Sequence, residues 1–148
     1  MHVAVDGDYL VVGTVDVLTD PDTWTTAYEH GTVTRINIET GAIAWRHTNA
    51  TEGYYWSGAA VTEDFVIVCT SAGTLEVLDK QSGDVCSTAD VGGIVNSECF
   101  ASSDGSRVYV FTNDGVLHLF SLSQNGVLAD AESIDVGLDG SVCSPTVD

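Results

Sequence analysis

A chain of 148 residues is long enough to bury a core of its own, and it reads as one domain over 1–148. Its 22 acidic residues against four basic ones, Arg35, Arg46, Lys80 and Arg107, give a formal net charge of −18. That balance argues against nucleic acid as a partner, which needs clustered cations to neutralise phosphates. It argues against anionic lipid for the same reason, and no run is long enough for a membrane-inserted helix. A highly soluble acidic surface is the plain reading, and a salt-adapted or cell-surface protein the sharper one.

In chain order, Tyr9-Leu-Val-Val-Gly-Thr14 is the first β-branched and aromatic run. A polar stretch from Asp16 to Glu29 follows, holding Pro21, Trp24 and Tyr28. Gly31-Thr-Val-Thr-Arg-Ile-Asn-Ile-Glu-Thr-Gly41 then opens and closes on Gly around a strand pattern, and Trp45 comes shortly after. Glu52-Gly-Tyr-Tyr-Trp56 leads into Ala59–Thr62 and Phe65-Val-Ile-Val-Cys-Thr70. The Gly-bounded phrase returns at Gly73–Gly83, and a looser copy lies at Gly115–Gly126 after Arg107-Val-Tyr-Val-Phe-Thr112.

Phe65 to Arg107 and Gly73 to Gly115 are both 42 residues apart. Tyr9 to Phe65 recovers the same spacing once 14 inserted residues between Thr14 and Gly31 are set aside. Each unit holds four strand-like segments separated by turn signals such as Asp6-Gly7, Asp104-Gly105, Asp114-Gly115 and Asn125-Gly126. No helical period competes. Four-stranded units at such a period predict an all-β chain of three antiparallel β-propeller blades, a partial propeller. The expected blades are 2–57, 58–98 and 99–142, with 143–148 starting the inner strand of a fourth. The chain therefore reads as a piece of a longer protein. Three blades alone leave two open sheet faces, so self-association through them is also expected.

The phrase Gly-x-[Leu/Val]-x-x-[Leu/Ile]-[Asp/Asn]-x-x-[Thr/Ser]-Gly-x-x-x-Trp resembles the blade signature of the PQQ-like, or quinoprotein-like, β-propellers. Gly31 to Trp45 carries it best, the second copy has Cys86 near the Trp position, and the third has Ser121 and Asn125 at signature positions. The Gly-His and Trp-Asp marks of WD40 units and the Gly-Gly of kelch units are absent. The resemblance implies that Trp45 docks one blade against the next. It also implies that a quinone enzyme of this fold would need a complete ring with central calcium ligands and a catalytic Asp. No matching Glu, Asn and Asp set is found here, so no cofactor, no metal and no catalytic residue are expected.

Cys69, Cys86, Cys99 and Cys143 show no metal-ligand spacing. Buried reduced thiols are expected, with Cys99–Cys143 the one plausible pair. His2, His30, His47 and His118 are scattered, and His118 aligns with Glu76 and Thr34 at a polar third-strand position that reads as a solvated face. Asp6-Gly-Asp8 and the Asp16, Asp20, Asp22 group lack the full calcium-loop pattern.

In an up-and-down blade, the loop between the second and third strands shares a rim with the link to the next blade. The insertion is such a loop, and Tyr54–Trp56 is such a link. Trp24, Tyr28, Tyr54, Tyr55 and Trp56 are thus the candidate partner-binding residues, an aromatic patch with an acidic border. The expected function is a non-enzymatic scaffold or binding module, part of an extracytoplasmic or cell-surface protein, offering a rim to a protein or glycan. The alternative is a piece of a PQQ- or metal-dependent oxidoreductase whose catalytic blades lie elsewhere.

Overall fold

The computed structural model describes residues 3–55 and 58–137, the side chains of 17–18, 26–29 and 130–131 apart. Twelve strands among these residues form three four-stranded antiparallel sheets, each in sequence order. The first blade is β1 (Val3–Asp6), β2 (Tyr9–Thr19), β3 (Thr26–Asn37) and β4 (Ile43–Asn49). The second is β5 (Ala60–Val61), β6 (Phe65–Cys69), β7 (Thr74–Asp79) and β8 (Val85–Asp90). The third is β9 (Phe100–Ala101), β10 (Arg107–Phe111), β11 (Val116–Leu122) and β12 (Leu128–Asp135). Residues 143–148, read above as a fourth inner strand, lie outside the described ones, as does Cys143.

The blades stack face to face. Residues directly opposite in antiparallel strands point to the same side of the sheet. Val11 opposite Arg35 and Val66 opposite Leu78 therefore set the two faces that meet between the first and second blades. Val11, Val33 and Trp45 from one side pack with Val66, Val68 and Leu78 from the other. The opposite face of the second blade, with Phe65, Ile67, Cys69, Leu75 and Val77, packs on Val108, Val110, Phe120 and Leu122 of the third. The strands β6 and β7 are thus covered on both sides, which is why β6 reads as a continuous apolar run, while β7 carries Glu76 among its buried residues. Each such side chain contributes about 1.5–3 kcal/mol through burial.

Trp45 does dock the first blade on the second, as the resemblance implies. Its indole N–H donates to the Lys80 carbonyl at 2.9 Å, and its ring lies over Gly83. Gly83 is at φ +79, and a Cβ there would sit 2.7 Å from the Trp45 ring. Cys86 takes the equivalent place one blade on, against Gly126. Cys86 is exposed, unlike Cys69 and Cys99, so only two of the three described thiols are the buried ones expected.

His118 and Glu76 do not lie on a solvated face. Val110 pairs with His118 and Val68 with Glu76, so both share the apolar face turned toward the preceding blade, whereas Thr34, opposite Val12, lies on the side of the first blade away from the second. Glu76 is buried, and it is served by partners described below.

Candidate functional site

The corner between the second and third strands is built alike in the second and third blades. The Thr70 N–H donates to the Thr74 carbonyl at 2.8 Å, and Gly73 N–H returns to the Thr70 carbonyl at 3.1 Å. Thr112, Val116 and Gly115 repeat this at 2.9 and 3.1 Å. In the first blade the chain does not turn at Thr14. The inserted residues, expected as a loop, instead lengthen the ladder: Thr14 pairs with Thr32 and pairing continues to Thr19 opposite Thr26. A register shift at Asp16/Val17 marks the base of this arm. Bulges increase twist and re-aim a strand. Across this base His30 Nε2 lies 2.6 Å from Asp16 Oδ2.

The tip is a closed turn. Asp20 N–H donates to the Thr25 carbonyl at 2.9 Å, and Trp24 N–H donates to the Asp20 carbonyl at 2.8 Å. The Asp20 carboxylate accepts from the N–H groups of Asp22 and Thr23 at 2.8 and 3.3 Å. Those backbone donors hold its pKa below the ordinary carboxylate value. Trp24 sits at φ +56 and is 81% exposed. A left-handed backbone is costly for a bulky residue, so the turn spends conformational free energy to point an indole at solvent.

The link between the first two blades lies at the foot of the arm, on the shared rim. Tyr54 N–H donates to the Thr14 carbonyl at 3.3 Å, Ser71 N–H to the Gly53 carbonyl at 2.8 Å, and Tyr55 N–H to Ser71 Oγ at 3.0 Å. Gly31 makes the approach possible, since a Cβ there would meet the Thr14 carbonyl oxygen at 2.6 Å and Gly53 Cα at 2.8 Å.

Tyr54 is a correction to the aromatic patch. It is 1% exposed and plugs the core between the first two blades, so it offers no surface to a partner. The next link uses Val95 in the same place, its N–H donating to the Ser71 carbonyl at 3.2 Å. Tyr55 is half-buried at the rim. Tyr28 lies in the arm opposite Val17, with its side chain outside the description, and Trp56 lies outside the described residues. Trp24 stands seven residues before Gly31, roughly 20 Å along the arm. Of the described side chains, Trp24 at the arm tip and Tyr55 at the rim are therefore apart.

Behind the link lies a buried polar cluster that the sequence reading missed. The Glu76 carboxylate accepts from the Tyr54 hydroxyl and from Asn49 Nδ2 at 3.1 Å, and His47 Nε2 stands 3.3 Å from it. The Thr70 hydroxyl donates to Glu52. Burial pushes the Glu76 carboxyl up, but the donors from His47, Tyr54 and Asn49 outweigh it and leave the pKa below its usual value. Burial and the same carboxylate push the Tyr54 hydroxyl up. At the opposite rim, Asp6 takes Arg35 at 2.9 Å and Lys80 at 3.3 Å, and the Arg35 guanidinium lies 3.8 Å over the Tyr9 ring. The visible signal for both clusters was a charged residue at a position that alternation assigns to a packed face. No group of three or more His, Cys, Asp or Glu is placed to hold a metal among the described residues.

A family model described as outer membrane protein assembly factor BamB matches residues 29–129. No curated protein matches the chain. Among solved structures, BamB from Moraxella catarrhalis superposes with a TM-score of 0.60 at 19% identity, covering 88% of this chain and 34% of that one. Kuenenia stuttgartiensis hydrazine synthase gives a TM-score of 0.61 at 18% identity, covering 76% and 32%. The chain spans about a third of each of these structures, and at such identity the likeness carries the fold alone. The three stacked four-stranded sheets and the match over most of the repeat place the chain in the PQQ-like propeller family described as outer membrane protein assembly factor BamB.

Proposed function

We propose that this chain is a non-enzymatic propeller scaffold and binding module, part of a larger extracytoplasmic or envelope-surface protein, that recognises a protein partner through the β2–β3 arm. The observation that carries this reading is Trp24, exposed at the tip of a hydrogen-bonded turn and held in a left-handed backbone conformation. Strained residues on an over-determined turn concentrate at recognition sites, and exposed Trp is among the side chains most often dominant in binding. The arm belongs to one blade of three and is not needed for stacking. Asp20 and Asp22 flank the indole, so the fitting partner surface is an apolar notch with a basic border. The family description, an assembly factor, agrees with a role in holding other proteins together.

The test is selection of a displayed random peptide library on the immobilised chain. Peptides combining apolar and basic residues should be enriched, and Trp24→Ala should weaken their binding by about 1–3 kcal/mol, the range of a hot-spot residue. Enriched peptides that bind Trp24→Ala as well as the original chain would contradict the arm as the site. A glycan array with Trp24-dependent hits would redirect the partner class from protein to carbohydrate.

A further inference from the structure

The arm leaves one edge of the first sheet without a neighbour. In the second and third blades the fourth strand reaches the start of the third. Asp90 at the end of β8 pairs with Thr74, the first residue of β7, and Asp135 at the end of β12 pairs with Val116, the first of β11. In the first blade β4 ends at Asn49 opposite Gly31, whereas β3 already begins at Thr26. Residues 26–30 are therefore laddered to β2 on one side, and among the described residues no strand pairs with them on the other.

The strand β4 does not fill that edge, because its last residue is tied to the next blade. Asn49 Nδ2 donates to the Glu76 carboxylate at 3.1 Å, and Asn49 Oδ1 accepts from the N–H groups of Thr51 and Glu52, both at 3.0 Å. These bonds turn the chain off the ladder and into the link. The open stretch is about 17 Å long at about 3.4 Å per residue. Exposed edges are ordinarily guarded by Lys, Pro or a bulge. Residues 26–30 hold neither Lys nor Pro. The one register shift, with Glu29 unmatched, lies at the base and leaves residues 26–28 in regular pairing.

We propose that an extended basic segment of the partner protein adds to the arm as a strand alongside residues 26–30, with Trp24 as its side-chain anchor. This rests on the reading of the arm as the recognition element. In strand addition the backbone bonds supply affinity and alternate side chains supply specificity. The occupant is basic because the exposed carboxylates of Asp16, Asp20 and Asp22 lie on the arm and the chain carries a net charge of −18. The same charge argues against the arm of a second copy as the added strand, since like charges set opposite one another destabilise a strand pair.

Hydrogen exchange read amide by amide tests this on the whole chain, with the most enriched peptide of the library selection as the probe. Bound peptide should slow exchange at least about tenfold at alternate amides among residues 26–30, those that do not bond to β2. Single N-methyl substitutions remove one peptide donor at a time. They should weaken binding at least about tenfold at every second residue and by less than about twofold in between. Molar salt should weaken binding through screening, and an unchanged affinity overturns the basic occupant. Binding that depends on Trp24 but shows no such alternation, with residues 26–30 unprotected, overturns strand addition and leaves the arm as the site. Binding indifferent to Trp24→Ala, with protection at the opposite rim, removes the arm as the site and strand addition with it. Slowed exchange at residues 26–30 that grows with chain concentration in the absence of peptide would seat a second copy on the edge and overturn the proposed occupant.

Discussion

Glu76 shows how one residue can tie a link to two blades. Its carboxylate gathers Tyr54 from the link and His47 and Asn49 from β4. Removing it leaves buried donors unpaired, so Glu76→Ala should cost about 2–4 kcal/mol by denaturant melting. Its folded pKa lies below the ordinary glutamate value of 4.5, so the stability it contributes is complete above that value. The contribution is lost as pH falls through the lowered folded value. Glu76→Gln should therefore flatten the acid limb of the stability curve, and an unchanged limb would assign acid sensitivity to other carboxylates. The thiols divide by the same logic. Burial pushes Cys99 up to about 12 and Cys69 well above its usual value. Of the three described thiols, Cys86 should be the one a disulfide reagent modifies in the folded protein, with Cys69 and Cys99 reacting only on unfolding. Prompt reaction of Cys69 or Cys99 would show that the interface between the second and third blades opens.

The contrast between Trp24 and Trp45 is decided by the elements that carry them. Trp45, on β4, is buried between blades and hydrogen-bonded to Lys80. Trp45→Ala should cost about 3–5 kcal/mol, and Gly83→Ala, at positive φ against the same ring, about 1–3 kcal/mol. Trp24→Gly should be neutral or stabilising by up to about 1 kcal/mol, since Gly accepts φ +56 without strain. A large loss on Trp24→Gly would show the arm to be structural. Much at this scale was legible in advance. Gly-bounded strands at a period of 42 residues announced the sheets, and the docking role of Trp45 was implied by the resemblance to the PQQ-like blade signature. The arm was not legible, because Asp, Thr and Pro between Asp16 and Thr25 read as turn formers, whereas cross-strand pairing to the long β3 overrides local preference. Tyr54 misled for a related reason: alternation describes strands, and the link is not one. Its burial depends on a groove that two blades and Gly31 create together.

At the scale of the molecule, charge and stacking oppose each other. Of four cations, Arg35 and Lys80 are drawn into the pairing with Asp6 between blades, which leaves Arg46 and Arg107 exposed against a strongly acidic surface. Such a surface repels itself and is relieved by screening. The melting temperature should rise as salt increases from low to molar concentration, and a flat response would show that the acidic groups are too far apart to strain the fold. Against that repulsion stand two continuous apolar interfaces, one on each side of the second blade. The arm projects from this stack, and the account holds that recognition occurs there. Hydrogen–deuterium exchange with and without a peptide from the library selection tests that most directly. The account predicts slowed exchange confined to the arm, residues 15–30, and the adjoining link, 50–55. Protection instead at the turns around Asp6, Thr40 and Lys80 on the opposite rim, with the arm unchanged, would contradict it.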